Sequence, residues 1–509
     1  MPLRNEISEQ KRQGIVYTPR WIVDEILSRV CREGLRGKTL CDPACGDGNF
    51  LVAAVKKIIS EKNGSGRINL KKELQDGIFG FDSDAVALEK CRARLDNVLR
   101  ECGIGVKVHW NLRQMDSIDY TQISPYFGRF DYVVGNPPYV RIQHLPKETR
   151  ARISRQWCAA GRGCCDIYMA FFEAGLGLLN SRGRLGYITP NGYTKTDAGS
   201  ALRKLLADGN LVDTLIDFGE HQIFSQATTY SLITILDKSM SDMASNIYRY
   251  DGAAIRFCDK VSYSRFHAPR WDLCGQQEYA RTQAIRQRGI PLGQIADISV
   301  GIQTLADDVF ILENIGCDDE LLICRAADGE IVRLEKAGTL PILKVSTMKN
   351  GTDRKNRVIV CPYRIDFSHR QLLMSEVELH EKFPKIFAYL SAHKPRLLMR
   401  DKGAMRAPWY AYGREINLRK TLGEKILTSG MNIAPNFMKC SHPEYTFYSG
   451  YAIKIKNNAI GAAKLLAQLN SDDMDFFISC TGRDYRNGWK SYAKAFIKDF
   501  GVVVPNGLI

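Results

Sequence analysis

Short apolar runs alternate with segments of helical periodicity over about the first 240 residues of the chain. Apolar residues recur at three- and four-residue spacing in NFLVAAVKKIIS and DIYMAFFEAGLGLL, which predicts amphipathic helices. The runs between such segments predict seven strands: TLC (39–41), GIFGFD (77–82), VKVHW (106–110), FDYVVG (130–135), RLGYIT (184–189), LVDTLIDF (211–218) and SLITILD (231–237). Strands that alternate with helices indicate a Rossmann-like α/β sheet of mostly parallel strands, covered by helices.

The pattern changes after this first domain, residues 1–240. Residues 241–290 are less periodic and are interpreted as a connecting segment. Residues 291–509 mix short strand and helix patterns without a detectable repeat, which predicts a second domain of α+β type.

Composition agrees with a multidomain protein inside the cell. The 509 residues are 45% hydrophobic and 25% charged, enough for two or three domains with full cores. The 15 cysteines lack paired C-x-x-C spacing, so we expect reduced thiols and no metal site. No apolar run approaches the ~20 residues of a membrane span, and the polar N-terminus lacks a secretory signal, so a cytoplasmic location is expected.

Positive charge is concentrated in one part of the second domain. The net charge is +15, and residues 341–420 carry 17 lysines and arginines against seven acidic residues. Such a run is either a solvated surface or a polyanion-binding surface, and the aromatic residues interleaved with it favour nucleic acid. Candidate DNA-binding residues are Lys394, Arg396, Arg400, Arg406 and Arg414, together with Arg483 and Trp489 of RDYRNGWKSY (483–492).

The loops after the predicted strands carry acidic residues. The first, CDPACGDGNF (41–50), combines Gly46 and Gly48 with Asp42 and Asp47. Carboxylates at this position would repel a pyrophosphate, and the G-x-G-x-x-G pattern is incomplete, so a cationic or zwitterionic ligand suits the loop better. A simple strand-to-helix turn is the alternative.

Two further loops extend this pattern. Asp82 ends the second strand, where an acidic residue can accept hydrogen bonds from a ribose diol, and Asp84 is predicted to cap the next helix. Asp116 follows the third strand and could accept a hydrogen bond from an adenine amino group. Each carboxylate alone could belong to an ordinary turn, but three successive acidic loops favour a nucleoside-containing ligand.

These loops belong to a series of motifs that resembles a known family. The order of the motifs is similar to that of S-adenosylmethionine-dependent N6-adenine DNA methyltransferases of the gamma arrangement, of the TaqI-like restriction–modification type: GIVYTP (14–19), DPACGDGNF (42–50), GFDSD (80–84), QMDS (114–117) and GNPPY (135–139). The resemblance is looser in the second half, at GIQTLADDVFIL (301–312), VIVCPYR (358–364) and WYAYGR (409–414).

The resemblance implies a seven-stranded methyltransferase domain, S-adenosylmethionine as cofactor, and double-stranded DNA as substrate, bound by a target-recognition domain over 291–509. It assigns Asp82 to the ribose of the cofactor and Asp116 to its adenine. The full set of implied cofactor-binding residues is Tyr17, Thr18, Pro19, Asp42, Ala44, Gly46, Asp82, Asp116 and Asn136.

The stretch GNPPY supplies the chemistry that the reaction needs. An exocyclic aromatic amine is a poor nucleophile because its lone pair is delocalised into the ring. The Asn136 side-chain oxygen and the Pro137 carbonyl can accept its two protons, while Pro138 restricts the backbone that orients this carbonyl. Tyr139 can stack on a base that has been rotated out of the duplex, with Phe224 as the second aromatic or, alternatively, as a core residue.

Other functions remain open at this point. The same motif is used to methylate other planar nitrogens, which allows N4-cytosine, RNA adenine or protein glutamine as the target. A non-catalytic DNA-binding subunit with this fold is a further alternative. No nuclease carboxylate cluster is evident in the sequence, so we expect any cognate restriction endonuclease to be a separate chain.

Overall fold

The computed structural model describes most of the chain: residues 17–61, 67–161, 165–224, 229–240, 243–348, 353, 355–365, 371–403, 405, 407–414, 418–440, 442–457 and 459–504. The chain divides into two compact units, residues 1–279 and 280–509. In the described ranges no helix is both long enough and apolar enough to cross a membrane.

A nine-stranded sheet forms the centre of the first unit. Its strands are β1 (Leu40–Asp42), β2 (Ile78–Asp82), β3 (Asn111–Gln114), β4 (Phe130–Gly135), β5 (Leu179–Pro190), β6 (Val212–Asp217), β7 (Ser231–Asp237), β8 (Ala244–Tyr250) and β9 (Ile255–Ser262). They lie in the order β3-β2-β1-β4-β5-β7-β6-β8-β9. Strands β1 to β5 are parallel, and β7 is antiparallel to both β5 and β6.

Helices cover both faces of this sheet. Their bounds are Arg20–Val30, Asn49–Ser60, Arg67–Gly77, Ala85–Glu101, Tyr120–Ile123, Lys147–Gln156, Tyr168–Leu178 and Ser200–Asp208. Alternate residues of each strand enter two separate cores, so that in β4 Val133 packs in one core and Tyr132 and Val134 in the other. This alternation follows from the two-residue period of a strand.

The predicted strands agree with the structure at most positions. Strands β4 and β7 have the predicted bounds, but β3 lies at Asn111–Gln114 instead of 106–110. Val108 and Trp110 are buried, and the Trp110 indole donates to Asp96 Oδ1 at 2.8 Å. The apolar alternation of VKVHW therefore comes from packing on a helix, without a neighbouring strand to pair with.

The prediction that residues 241–290 form a connecting segment is wrong for its first part. Strands β8 and β9 belong to the sheet and form an antiparallel pair. The turn between them contains Asp251, whose carboxylate accepts hydrogen bonds from the amides of Ala253 and Ala254, and Gly252 at φ +98°. An Asp-Gly pair between two alternating runs is a hairpin signal, and it extends the sheet from seven strands to nine.

The second unit is of α+β type, as predicted. Its strands are short: β10 (Ile290–Pro291), β11 (Ala296–Val300), β12 (Ile311–Asp318), β13 (Leu321–Arg325), β14 (Ile331–Glu335), β15 (Thr339–Lys344), β16 (Arg357–Val360), β17 (Tyr363–Ile365), β18 (Gln371–Leu373), β19 (Ile426–Thr428), β20 (Met431–Asn432), β21 (Phe437–Lys439), β22 (Thr446–Tyr448), β23 (Tyr451–Ile455), β24 (Asp484–Tyr485), β25 (Trp489–Ser491) and β26 (Gly501–Val502). Among the described residues they form a six-stranded sheet, β14-β13-β12-β16-β15-β22, a four-stranded sheet, β11-β23-β19-β21, and smaller ones.

Helices separate these sheets along the chain. They span Leu292–Ile295, Asp307–Phe310, Glu376–Lys382, Pro384–Ala392, Lys394–Leu398, Leu418–Thr421, Ala462–Leu469, Asp472–Thr481 and Lys494–Ile497, and the helix Gln276–Gln287 contains the boundary between the units. The larger sheet packs on Pro384–Ala392 through Ile386 and Leu390, in a core distinct from that of the smaller sheet.

Candidate active site

The carboxyl ends of three adjacent strands bring the predicted motifs together. Strand β1 lies between β2 and β4, so the loops that follow Asp42, Asp82 and Gly135 leave the sheet at the same edge. Open α/β sheets bind ligands at this edge, close to the point where the strand order reverses.

Asp42 is a buried carboxyl group at the end of β1. It is 1% exposed, and its Oδ1 accepts a hydrogen bond from the Ala44 amide at 3.0 Å. Burial raises the pKa of Asp42 to about 8, because removal from water disfavours the charged form. A Cβ at Gly135 would lie 2.8 Å from Asp42 Oδ1, so glycine at the end of β4 allows the two strands to pass this closely.

The glycine turn after β1 is tied to the loop after β2. The Gly46 amide, at φ +52°, donates to Asp82 Oδ2 at 2.8 Å, and the Cys45 amide donates to the Phe81 carbonyl at 2.9 Å. Gly48 has φ +90°, and a Cβ there would lie 2.4 Å from the Cys91 sulfur. The turn therefore needs glycine for its backbone conformation and for its close packing.

Asp82 and Asp84 have different tasks. The Asp82 carboxylate is half-buried and also accepts from the Asp84 amide at 2.9 Å, and burial raises its pKa. Asp84 caps the helix Ala85–Glu101, as predicted, by accepting from the amides of Val86 and Ala87. Asp82 thus remains at the sheet edge with its position fixed by backbone donors.

Asp47 is paired with an arginine, which the sequence did not indicate. Its Oδ2 lies 2.8 Å from Arg94, which also donates to the Asp47 carbonyl and to Asn49 Oδ1. The negative charge of Asp47 is therefore compensated inside the turn, and Asp42 and Asp82 are the carboxyl groups left to act on a ligand.

Asp116 forms an ion pair that the sequence did not indicate. Its Oδ2 accepts from Arg152 at 2.6 Å, and Arg152 also pairs with Asp119 at 2.8 Å. The other oxygen of Asp116 accepts from the Ile118 amide at 3.1 Å. A carboxylate has about four acceptor positions, so these bonds leave Asp116 able to accept another donor.

Asn136 is oriented by Thr18. The Asn136 Nδ2 donates to the Thr18 hydroxyl at 3.0 Å, which turns Oδ1 to the other side of the amide plane. Tyr139 donates its hydroxyl to that Oδ1 at 2.5 Å and lies 3.2 Å from the Ile188 carbonyl. Thr18 and Asn136 are separated by 118 residues in the chain, so this contact was not evident from the sequence.

Tyr139 lies between two other aromatic rings. Its ring centroid is 6.3 Å from that of Tyr168 and 6.3 Å from that of Phe224, with interplanar angles of 81° and 65°. Phe224 is 2% exposed and packs in a core, as the alternative prediction for this residue has it. Burial raises the pKa of Tyr139 well above its usual range.

The remaining residues of the YTP motif begin a helix. Tyr17 is 67% exposed, Thr18 is buried, and the Pro19 carbonyl accepts from the amides of Ile22 and Val23 at the start of Arg20–Val30. Residues 14–16 of the motif lie outside the described residues.

The residues at this edge fit the charge pattern of S-adenosylmethionine. The buried Asp42 carboxyl would be complemented by an ammonium group, and the Asp82 carboxylate by the hydroxyls of a ribose. Among the described residues no group of three or more histidine, cysteine, aspartate or glutamate side chains could hold a metal ion.

The second unit corrects one DNA-binding candidate. Arg400 is 2% exposed, and its guanidinium donates to four backbone carbonyls, those of Leu397, Thr304, Ala411 and Trp409. An arginine that is buried and surrounded by carbonyls cannot reach a phosphate. Arg400 therefore stabilises this unit, and the expectation that it contacts DNA is wrong.

Other candidates lie on the surface of this unit. Lys394 lies over the Trp409 ring at 4.8 Å, and Arg396 pairs with Asp308 at 3.2 Å, both with exposed side chains. Arg414 is also exposed, and Arg483 is half-exposed. Arg406 lies outside the described residues.

Trp489 lines a concave surface of the same unit. The cavity has a volume of about 510 Å³, and its lining includes Gln303, Ser429, Met431 and Tyr451. The Arg414 amide donates to the Gln303 carbonyl at 3.1 Å, so the backbone of Arg414 lies beside a residue that lines this surface. Two of the predicted residues, Trp489 and Arg414, are thereby brought close to one concave surface.

Comparison with known proteins agrees with this geometry. Residues 77–224 match the model of the Eco57I restriction-modification methylase family. The chain is 25% identical, over 93% of its length, to the type II restriction enzyme and methyltransferase RM.Eco57I of Escherichia coli. It is 30% identical, over 44% of its length, to the type II methyltransferase M.BstVI of Geobacillus stearothermophilus. It spans about half the length of these curated relatives, 55% of the first and 42% of the second.

Solved structures show the same fold. The chain aligns over 94% of its length with 63% of the type IIL restriction-modification enzyme MmeI in complex with DNA, at a TM-score of 0.60 and 13% identity. It aligns over 88% of its length with 50% of the chain of a DrdV–DNA complex, at a TM-score of 0.51 and 13% identity. These findings confirm the predicted resemblance to restriction–modification methyltransferases, and the chain shares its fold with a restriction–modification enzyme.

Proposed function

We propose that the protein is a site-specific DNA methyltransferase that transfers a methyl group from S-adenosylmethionine to N6 of an adenine rotated out of duplex DNA. The observation that carries this proposal is the orientation of Asn136, whose Nδ2 donates to Thr18 and whose Oδ1 acts as an acceptor, here for the Tyr139 hydroxyl. The fold and the relatives support the reaction class, and the acceptor geometry supports an exocyclic amine as the target.

Asn136 and Pro137 act on the target amine. The Asn136 Oδ1 accepts a hydrogen bond from one N6–H group and the Pro137 carbonyl accepts one from the other, which directs the nitrogen lone pair away from both acceptors. Pro138 restricts the backbone of Pro137 and so limits where its carbonyl points. The contribution of these residues is orientation and local electrostatics, and a strong base is not required.

The Tyr139 hydroxyl uses the acceptor that the target amine requires. This hydroxyl donates to the same Asn136 oxygen that the amine needs, so the amine must replace the phenol. We propose that the Tyr139 ring then stacks on the extruded base, where stacking is worth about 1–3 kcal/mol per base. Phe224, whose ring centroid is 6.3 Å from that of Tyr139, is proposed as the second aromatic contact.

The acidic loops hold the cofactor in this proposal. When bound, S-adenosylmethionine supplies a methyl group activated by its sulfonium. Asp42 and Ala44 face the methionine end with Tyr17, Thr18 and Pro19, while the Gly46 turn permits close approach. Asp82 accepts from the ribose hydroxyls and Asp116 from the adenine amine. Because Asn136 is bonded to Thr18, the cofactor side and the target side of the site are joined by one hydrogen bond.

The second unit is proposed as the target-recognition domain, corresponding to 291–509 of the sequence prediction. Exposed Lys394, Arg396 and Arg414 are suited to phosphates or base edges, and Trp489 offers an aromatic face in a concave surface. The two DNA complexes of similar fold support this assignment.

The experiment is to sequence DNA from cells that express the chain, with a method that detects N6-methyladenine and N4-methylcytosine. We expect N6-methyladenine at one recognition sequence, and none with Asn136→Ala. Methylation of cytosine N4 would replace adenine as the target. Methyl transfer to RNA or to protein glutamine by the purified enzyme, without transfer to DNA, would overturn the proposal.

We further propose that the enzyme acts in the cytoplasm, where its DNA substrate is found, and that a cognate restriction endonuclease is a separate chain acting on the same site. The E. coli relative is named as both restriction enzyme and methyltransferase. The purified chain should therefore be incubated with unmethylated DNA and Mg²⁺. Cleavage next to the recognition sequence by this chain alone would contradict a separate nuclease.

A further inference from the structure

A basic helix lies next to the catalytic loop of the first unit. We name it the basic helix, Lys147–Gln156 (KETRARISRQ). The segment 141–155 contains five lysines and arginines against one acidic residue, Glu148. None of these residues was among the DNA-binding candidates of the sequence, which all lie in the second unit.

The basic helix is held by very few apolar contacts. Of its ten residues only Ile153 is buried. Its position is fixed by Arg152, which pairs with Asp116 and Asp119, and by Trp157, whose indole donates to the Ile118 carbonyl at 2.8 Å. Arg152 is thus committed to the protein, and it ties the helix to the loop that follows β3.

Three other cations of the basic helix are not paired with a carboxylate among the described residues. Lys147 and Arg155 are exposed and Arg150 is half-exposed. Within the described residues none of the three forms an ion pair, whereas Arg152 forms two. Surface cations that remain uncompensated are suited to a polyanion.

The connection to the catalytic loop is also fixed. The Ile142 amide donates to the Cys165 carbonyl and the Ile167 amide to the Val140 carbonyl, each at 2.9 Å. Both ends of the segment from Val140 to Trp157 are therefore anchored at the carboxyl edge of the sheet. An extruded base must approach Asn136 from this edge. The nucleic acid strand that carries the base therefore has to run past the segment from Val140 to Trp157.

We propose that Lys147, Arg150 and Arg155 bind backbone phosphates of the DNA strand that carries the extruded base. This inference rests on the proposed function and adds a phosphate-binding surface in the catalytic unit, independent of the second unit. Its role is to hold the strand while the base leaves the duplex, since phosphate contacts set register and orientation without reading sequence.

The test measures DNA binding by the full chain as a function of salt. The variant Lys147→Gln/Arg150→Gln/Arg155→Gln removes the three charges and retains polar side chains. The matched control is Lys90→Gln/Arg92→Gln/Arg100→Gln on the helix Ala85–Glu101, whose buried residues pack on the opposite face of the sheet. Lys90 and Arg100 are exposed and Arg92 is half-exposed, so the exposure matches as well.

We expect the slope of log K against log salt to become shallower by about 2.7 for the first variant, since each phosphate contact contributes about 0.9. The control should retain the wild-type slope. Equal slopes for wild type and the first variant would overturn the proposal, as would a change seen with RNA but not with DNA. If the triple variant does not show a cooperative melt, each single variant is measured instead, with an expected change of about 0.9.

Methyl transfer by the wild type is measured in parallel, which separates this inference from the proposed function. A wild-type enzyme that methylates DNA, with an unchanged slope in the variant, rejects the basic helix alone. A wild-type protein that binds DNA without methylating it, with a shallower slope in the variant, rejects the proposed function and supports the phosphate contacts.

Discussion

Replacing Tyr139 by phenylalanine should strengthen binding of the extruded base. The Tyr139 hydroxyl donates to Asn136 Oδ1 at 2.5 Å and lies 3.2 Å from the Ile188 carbonyl. In the proposed mechanism the target amine takes the Asn136 oxygen, so binding of the base breaks the hydrogen bond from Tyr139. Tyr139→Phe removes this competing donor and keeps the ring that stacks.

The magnitude follows from the strength of one hydrogen bond. A neutral hydrogen bond contributes a net of about 0.5–1.5 kcal/mol to stability. Tyr139→Phe loses this bond only in the unbound protein, so the Kd for the extruded base should fall about two- to tenfold. The free energy of unfolding should decrease by a similar amount, because Asn136 loses a donor in the folded protein. Tyr139→Ala should have the opposite effect on binding, about five- to hundredfold weaker, because it loses the stacking energy of about 1–3 kcal/mol.

The assay uses duplex DNA with 2-aminopurine in place of the target adenine, whose fluorescence increases when the base leaves the stack. Wild type, Tyr139→Phe and Tyr139→Ala are titrated with this duplex, and methyl transfer is measured on the unmodified duplex. We expect Tyr139→Phe to bind the duplex most tightly, wild type less tightly and Tyr139→Ala most weakly. The kcat of Tyr139→Phe should lie within a fewfold of that of wild type. Weaker base extrusion by Tyr139→Phe than by wild type would show that the hydroxyl acts in the bound state, and the competition argument would be refuted.

Four further outcomes are expected. Asn136→Ala should abolish methyl transfer with nearly unchanged cofactor affinity, measured by calorimetry. Asp82→Ala should weaken cofactor binding by about 1.5–3 kcal/mol, whereas Asp84→Ala, which removes only a helix cap, should cost about 1 kcal/mol of stability and leave the cofactor Kd unchanged. Burial raises the pKa of Asp42 to about 8 in the folded chain, against about 3.9 in the unfolded chain, so the folded protein binds this proton more tightly. The free energy of unfolding, measured in urea, should therefore fall as the pH rises from about 4 to about 8. The fall should be smaller in Asp42→Asn. Arg400→Met should destabilise the second unit by about 3–5 kcal/mol in a thermal melt, because four carbonyls lose a charged donor, and a stable variant with weakened DNA binding would contradict its structural role.

Most strands of the sheet and its acidic loops were predictable because their signals are local. Strand β4 reads as a continuous apolar run that ends in Gly135-Asn136, and its burial on both faces explains this pattern. Asp84 stands at the start of a periodic segment, where a side chain of its type caps a helix. In both cases a few consecutive residues contain the whole physical reason for the structure.

The contacts that orient the site were not predictable, because they join distant residues. Thr18 was expected to contact the cofactor, and nothing near it in the sequence indicates its bond to Asn136. Arg152 lies 36 residues after Asp116, within a segment that reads as an ordinary charged helix. Side-chain pairing across elements depends on how the elements pack, and periodicity alone carries no information on it.

Charge density in the sequence is a poor guide to which cations remain exposed and unpaired in the folded protein. Residues 341–420 have the larger excess of basic residues, yet Arg400 is buried there and Arg396 is paired with Asp308. The shorter segment 141–155 keeps Lys147 and Arg155 exposed, with no ion pair to either among the described residues. Binding to DNA releases the counterions condensed on the phosphates that protein cations neutralise, so the salt dependence counts the side chains that contact phosphate and not the basic residues of the sequence. The slope of log K against log salt is measured after neutralising Lys394, Arg396 and Arg414, and separately after neutralising the cations of the basic helix. A slope that stays steep in the first variant and becomes shallower in the second would assign part of the DNA affinity to the first unit.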